Sequence, residues 1–547
     1  MGRAASGTLH TGPERIFLQF QAPAIFGENG VSRSIEQTEI LNVCFVGMDK
    51  LEEEALKNRL CNRREFIKTI GIGSLALGFS CKSRVSKTHV PPNILFCIAD
   101  DWGWPHAGVY GDPVVRTPTF SRIAKEGILF DHAFVSSPSC TPSRNAILTG
   151  QYHWRLEEGA NLWSTLDVKF PVFPLLLEEA GYHVGHWRKC WGPGDIRTGG
   201  YADKYPGGKR YPGGFAQFLE ERPEGKPFCF WLGSSDPHRP YELDSGKASG
   251  MDISRVKVPM FYPDVPEVRS DIADYYYEVQ RFDSDCGAAL SLLEKSGEWD
   301  NTIIVMTGDH GMPFPRCKSN IYDWGVRVPL AIRWGERIKP GHRVKDFVSF
   351  VDFAPTFLET AGLEIPDSMS GRSLLSLLMS GKSGRVEKSR DFAIFGKERH
   401  VPAQESPGMG GYPCRGFRTD DFLYIRNFFP ERWPAGVPDG ATHPIGRFAD
   451  CDDGPTKFFL MNNRDDPSVK RFFELAFAKR PAEELYDMQK DPDQVNNVAG
   501  DPEYSQVRSQ LAARLMAELQ ATSDPRSSQG RVLFDDYPYR AKYDLNK

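Results

Sequence analysis

Asn93-Ile94-Leu95-Phe96-Cys97-Ile98-Ala99-Asp100-Asp101-Trp102-Gly103 decides the fold. Its first seven residues are apolar almost throughout and do not alternate. That marks a strand buried on both faces, as in a parallel sheet. The strand runs into two adjacent carboxylates, at the end where open α/β sheets place their ligands. Neighbouring acids repel, and a divalent cation relieves that repulsion. A bare Asp-Asp pair is more often a solvated turn. Following a buried strand, Asp100 and Asp101 become candidate metal ligands.

Downstream, the same pattern repeats. Short stretches at 128–134, 184–187, 228–233, 302–307 and 328–334 read as strands. Helical stretches intervene at 117–125, 174–180 and about 267–295. This alternation predicts an α/β fold, doubly wound around a largely parallel sheet. Lys189, His238, Asp309 and His310 all fall just after predicted strands, and Lys318 follows in the loop beyond. Singly, each has a bland reading: a solvated lysine, a capped core histidine, a turn. Side chains at one end of adjacent strands converge, and so many coincidences are not cheap.

Ser137-Pro138-Ser139-Cys140-Thr141-Pro142-Ser143-Arg144 follows the second strand. Pro142 belongs to the start of a helix, not its interior. Ala146, Ile147 and Leu148 carry that helix, and Gly150 ends it. Cys140 therefore sits at a helix N-terminus, where free N–H groups favour an anion. Arg144, one turn on, adds a fixed positive charge. Without more, this is a reactive or buried thiol.

The chain has 547 residues, too many for one core, and two domains are expected. Its 40% hydrophobic and 25% charged content is that of a globular protein. A net charge of −5 argues against nucleic acid as a partner. The 11 cysteines lack CxxC spacing, which argues against a zinc module. Many aromatics (36 Phe, 19 Tyr, 11 Trp) suit a saccharide surface, with Trp102, Trp104 and Trp191 the candidates to line it. Repeats and low-complexity tracts are absent from the sequence.

Residues 1–47 read as an extension without periodicity, with translation starting at Met48. Residues 48–90 read as a signal peptide and linker. Asn62-Arg63-Arg64-Glu65-Phe66-Ile67-Lys68 resembles a twin-arginine export signal, and the apolar stretch 70–79 after it is too short to span a bilayer. Cys81 is a candidate lipid anchor. These features predict export to the periplasm or cell envelope through the twin-arginine machinery. Residues 91–384 are the expected catalytic domain. Beyond a linker at 381–385 lies a smaller C-terminal α+β domain, 385–547. It contains a hairpin at 417–426, a turn beginning at 484–487 and an amphipathic helix at 506–519.

Cys140-Thr141-Pro142-Ser143-Arg144 with Leu148-Thr149-Gly150 resembles the signature of the type I sulfatases, and the likeness extends over about 92–520. Asp236-Pro237-His238-Arg239 and the stretch from Asp309 to Pro315 look most like the sulfamidase (N-sulfoglucosamine sulfohydrolase) branch. The resemblance implies an alkaline phosphatase-like fold: a large mixed, mostly parallel sheet flanked by helices, plus the smaller C-terminal domain. It implies that a formylglycine-generating or radical maturation enzyme oxidises Cys140 to formylglycine (3-oxoalanine), whose hydrated form attacks sulfur. Asp100, Asp101, Asp309 and His310, with the oxidised Cys140, would bind one divalent cation, usually calcium. Arg144 would steady the formylglycine, Lys189 and Lys318 would hold sulfate oxygens, and His238 would protonate the leaving atom. One departure stands out: a histidine common in the family falls on Trp191, and loss of such a group costs ~10²–10⁴ in rate. The expected activity is hydrolysis of sulfate esters or sulfamates of a sulfated carbohydrate such as a glycosaminoglycan. The alternatives are a phosphodiesterase or phosphonate hydrolase on the same scaffold, and a catalytically weak binder of sulfated glycan.

Overall fold

The computed structural model describes residues 90–202, 204–404, 410–439, 446–528 and 532–541. The expectations for the leader, the twin-arginine motif and Cys81 lie outside the described residues. The larger sheet contains, in chain order, β1 (Asn93–Ala99), β2 (Ile128–Phe134), β3 (His183–Trp187), β4 (Lys209–Arg210), β5 (Phe228–Gly233), β6 (Thr302–Gly308), β7 (Leu330–Trp334) and β8 (His342–Ser349). Their spatial order is β4-β3-β5-β1-β6-β7-β2-β8. Only β7 runs against its neighbours, antiparallel to both β6 and β2.

β1 shows why its sequence carries so strong a signal. Ile94, Phe96 and Ile98 point into one core, against Ile147, Phe173, Phe353 and Phe357. Leu95, Cys97 and Ala99 point into the other, against Phe120, Phe215, Ile272 and Phe282. Period-two alternation between two covered faces leaves no position for a polar residue. The helices responsible include α1 (Pro118–Glu126), α2 (Cys140–Thr149), α3 (Phe173–Glu179), α4 (Gly214–Glu221), α5 (Pro266–Lys295) and α6 (Phe353–Thr360).

The smaller sheet is antiparallel, β12-β11-β10-β9 in order. It comprises β9 (Ala393–Lys397), β10 (Cys414–Arg418), β11 (Phe422–Asn427) and β12 (Glu483–Asp487). Phe417 pairs with Tyr424 across the expected hairpin. One face packs Ile394, Phe417, Tyr424 and Leu485 against Leu511, Leu515 and Leu519 of α7 (Ser505–Ala521). The turn read at 484–487 is instead the strand β12. Leu485 and Tyr486 are both buried, on opposite faces, and the pairing to β11 holds them extended. Residues 89–547 form one compact unit containing both sheets.

His106 meets Tyr275 edge-on and Tyr276 and Trp324 at tilted angles, with Nδ1 3.3 Å from the Tyr275 hydroxyl. Burial pushes its imidazole down to about 4, although Asp112 nearby pulls the other way. The unfolded chain takes up this proton near pH ~6.5, which the folded chain refuses until about 4. The stabilisation is therefore complete above pH ~6.5 and is lost as the pH falls towards 4, by about 3 kcal/mol at most. Urea unfolding at a series of pH values should show this decline, and His106→Gln should make it shallower.

Candidate active site

The site is a product of parallel pairing. β3, β5, β1 and β6 all point the same way, so the residues after each strand meet at one rim. Ala99 sits opposite Gly308, which sets Asp100 beside Asp309. The ladder continues past the strands: Asp100 donates its N–H to the Asp236 carbonyl (3.0 Å), and Asp309 to that of Ala99 (3.1 Å). Asp101 is held at φ 77°, a left-handed conformation uncommon for a non-glycine residue, and its N–H donates to Asp309 Oδ1 at 2.9 Å. α2 begins at Cys140, after Ser139 in extended conformation.

All nine residues singled out by sequence are brought together here. Cys140 Sγ lies 3.2 Å from His310 Nε2 and 4.0 Å from Asp101 Oδ1. One donor atom each from Asp100, Cys140, Asp309 and His310 lie within 4.8 Å of one another, as do those of Asp101, Cys140 and His238. Lys189 Nζ is 2.6 Å from Asp100 Oδ2. Lys318 Nζ is 2.8 Å from Asp101 Oδ2 and 2.9 Å from Asp452 Oδ2. Arg144 Nε is 2.9 Å from Asp309 Oδ2, and its Nη2 is 3.4 Å from Asp100 Oδ1. His238 Nε2 stands 4.0 Å from Asp101 Oδ2.

The electrostatics follow from packing this much charge out of water. Burial alone would raise the Asp100 carboxyl, but Lys189 and Arg144 outweigh it and hold the group well below the ordinary range. Asp309 goes the other way, its burial outweighing His310 and Arg144. Burial, reinforced by Asp100, pushes the Cys140 thiol well up, so as a plain cysteine it stays protonated. Burial opposes the charge on Lys318, yet Asp101 and Asp452 keep it protonated. Three buried carboxylates and an imidazole around one sulfur fit a hard divalent cation, with His310 the one nitrogen donor.

The rim opens into a cavity of about 870 Å³. Trp191 lines it, with Trp163 and Tyr277. Trp102 does not: its indole donates to the His106 carbonyl (2.8 Å) and its ring is fully buried against Phe120 and Phe282. Trp104 also lies elsewhere, its ring 3.5 Å beneath the Arg327 guanidinium. Trp191 donates its indole N–H to Asn145 Oδ1 at 2.7 Å, and an indole accepts no proton in exchange. Sequence reasoning passed over two residues that line the same cavity. His400, just beyond β9, places Nδ1 2.8 Å from Ser139 Oγ. Asp452 anchors Lys318. Both arrive from the C-terminal part of the chain.

Residues 92–363 match the family described as Sulfatase, and residues 308–427 match the C-terminal region of N-sulphoglucosamine sulphohydrolase. The chain is 28% identical over 486 residues to an ulvan-active sulfatase of Formosa agariphila, covering 82% of this chain and 86% of that one. It is 28% identical over 499 residues to N-sulphoglucosamine sulphohydrolase of Homo sapiens, covering 82% and 93%. Among solved structures, a protein bound to its substrate D-glucosamine-2-N,6-O-disulfate superposes with TM-score 0.55 at 22% identity, covering 81% of this chain and 100% of that one. A phosphonate monoester hydrolase of Agrobacterium radiobacter gives 0.60 at 19%, covering 79% and 96%. At these identities the structural likeness speaks for the fold.

Proposed function

The chain belongs to the sulfatase family, and from that premise we propose that it is an exported hydrolase of sulfate esters or sulfamates on sulfated carbohydrates, working through Cys140. The observation that carries this reading is the meeting of Asp100, Asp101, Asp309 and His310 around the Cys140 sulfur, at the floor of a cavity that also holds Lys189, Lys318 and His238.

Sulfatases generally use a formylglycine and a divalent metal. Cys140 is the position for the first, and Asp100, Asp101, Asp309 and His310 would hold the second, for which we propose calcium on the grounds of its oxygen-rich donors. Together these groups supply an activated hydroxyl and a Lewis acid beside it. The remaining work falls to the chain's own side chains. Asp100, Asp101, Asp309 and Asp452 exceed Lys189, Lys318 and Arg144 by one negative charge. Adding a dication to that set leaves a net positive floor for an anionic sulfate. Lys189 and Lys318 reach the cavity and bind the sulfate oxygens. Arg144, fully buried, keeps Asp309 and Asp100 in place. His238, about one-third exposed at its side chain and braced through Nδ1 by the Arg239 carbonyl (2.5 Å), delivers the proton to the departing oxygen or nitrogen. Trp163, Trp191 and Tyr277 offer flat apolar surface to a sugar ring.

The leader supports a place in the periplasm or cell envelope, with Cys81 a candidate lipid anchor. No helix among the described residues is long and apolar enough to cross a membrane.

The test is sulfate release by the full chain, co-produced with a formylglycine-generating enzyme. Glucosamine N-sulfate, N-acetylglucosamine 6-sulfate, nitrophenyl sulfate and nitrophenyl phosphate are the probes. Sulfate should appear from at least one sulfated sugar, and nitrophenyl phosphate should react far more slowly than nitrophenyl sulfate. Exhaustive chelation should lower kcat at least about a hundredfold, with recovery on adding calcium. A preference for nitrophenyl phosphate would overturn the reading.

A further inference from the structure

His400 stands just beyond β9 and lines the catalytic cavity while only 4% exposed. One edge of its ring is fixed: Nδ1 lies 2.8 Å from the hydroxyl of Ser139, the residue before Cys140. The other edge is free. Nε2 is open to the cavity and has no hydrogen-bond partner among the described residues. The chain on either side of the ring is pinned. The Leu162 N–H donates to the Arg399 carbonyl (3.0 Å), and the Val401 N–H donates to Asp450 Oδ1 (3.0 Å). Asp450 is held in turn by Lys397, at 3.0 Å. Leu162, Trp163, Val401 and Ala449 line the cavity with His400, and they belong to an apolar cluster that includes the Cys140 side chain. A polar group is thus set rigidly into an apolar wall beside the reacting residue.

The bond to Ser139 decides what Nε2 offers. The Ser139 side chain caps no N–H of α2, and the imidazole is its only partner among the described residues. A buried O–H without an acceptor is costly, so the hydroxyl donates to Nδ1. Burial pushes the imidazole down to about 4 against the pull of Asp450, and Lys318 adds to the fall. The ring is therefore neutral, and its one proton sits on Nε2, facing the cavity. Lys189 and Lys318 take the sulfate at the floor, whereas this wall meets the ring that bears it. The acceptors a sugar presents beside its sulfated carbon are hydroxyl and ring oxygens. We propose that His400 is a specificity-determining residue, whose Nε2–H donates to a sugar oxygen next to the scissile sulfate and so favours sulfated sugars over aryl sulfates. The inference rests on the sulfatase reading and names the group that reads the sugar. A site built to hydrogen-bond its substrate discriminates more strongly than an apolar pocket, because an analogue without the partner leaves the site's own polar group unpaired.

The experiment compares kcat/KM for glucosamine N-sulfate, N-acetylglucosamine 6-sulfate and para-nitrophenyl sulfate in the wild type, His400→Leu and His400→Gln. Each protein is normalised to its formylglycine content by peptide mass, and thermal melts check folding. The nitrophenyl ester carries no oxygen on the ring atoms beside its sulfate. In His400→Leu, the ratio of kcat/KM for the better sugar to kcat/KM for the nitrophenyl ester should fall about tenfold or more. His400→Gln keeps an N–H near the place of Nε2 and should hold that ratio within about threefold of wild type. Should His400→Leu fail to fold, His400→Ala replaces it, with the same fall expected. An unchanged ratio in the apolar variant overturns the proposal, and so does a ratio that falls as far in His400→Gln. An equal loss on sugar and nitrophenyl ester also overturns it, assigning His400 to structure while the sulfatase reading stands. A wild-type protein that releases sulfate from none of the three refutes that reading and carries this one down with it.

Discussion

Cys140→Ala is expected to lower sulfate release by about 10⁴-fold or more, the scale on which removal of a reacting group usually acts. The sulfur occupies the one position shared by both clusters of metal-binding donors, 3.2 Å from His310 and 4.0 Å from Asp101. As a protonated thiol it is a poor nucleophile, and as alanine it offers no heteroatom at all. The change is small in volume, at a residue 2% exposed, so the protein should fold with a loss of about 1 kcal/mol. Ion chromatography of released sulfate, with a thermal melt as the control for folding, reads the result. A Cys140→Ala protein that keeps more than a few per cent of the wild-type rate would place the chemistry on another residue. Binding of the sulfated sugar should survive, because Lys189, Lys318 and the aromatic wall are untouched.

Arg415→Met should cost about 3–5 kcal/mol in stability, the usual result of breaking a buried ion pair from one side. Arg415 is fully buried on β10, with Nε 2.6 Å from Asp524 Oδ2 and Nη2 2.6 Å from Glu398 Oε1. Glu398 keeps a second partner in Arg526, at 2.5 Å. Asp524 loses its only buried guanidinium among the described residues and retains backbone donors such as the Arg526 N–H. The penalty therefore concentrates on Asp524, which lies just past α7. Guanidinium unfolding should show a lower midpoint, and adding Asp524→Leu to Arg415→Met should restore much of it by removing the stranded charge. An Arg415→Met protein as stable as wild type would mean that this network contributes little.

What the sequence made legible was set by how each segment is buried. β1 and β5 were readable to the residue because both faces of each are covered, so apolar residues dominate them, and β2 was readable despite Asp131 and His132. Asp100, Asp101, Asp309 and His310 were readable because strand ends in a parallel sheet share a rim. β8 went unread: it lies at the edge of the sheet, and His342, Arg343 and Lys345 break any apolar run. β12, also an edge strand, opens on two glutamates and looked like a turn. Trp102 was misplaced because adjacency to a ligand rim does not say which way an indole turns. His400 and Asp452 carry no local mark. They reach the cavity only because the chain beyond the larger sheet folds back over it.

Every residue of α2, from Cys140 to Thr149, is buried. A second protein has no way to grip that segment once the molecule has closed. Any enzyme that converts the Cys140 side chain must therefore meet it on a nascent or open chain, before β2 and α2 are enclosed. Were the chain exported by a route that accepts only finished cargo, as the twin-arginine resemblance implies, export would follow conversion and closure. A molecule that closes too early is sealed for life with an inert thiol.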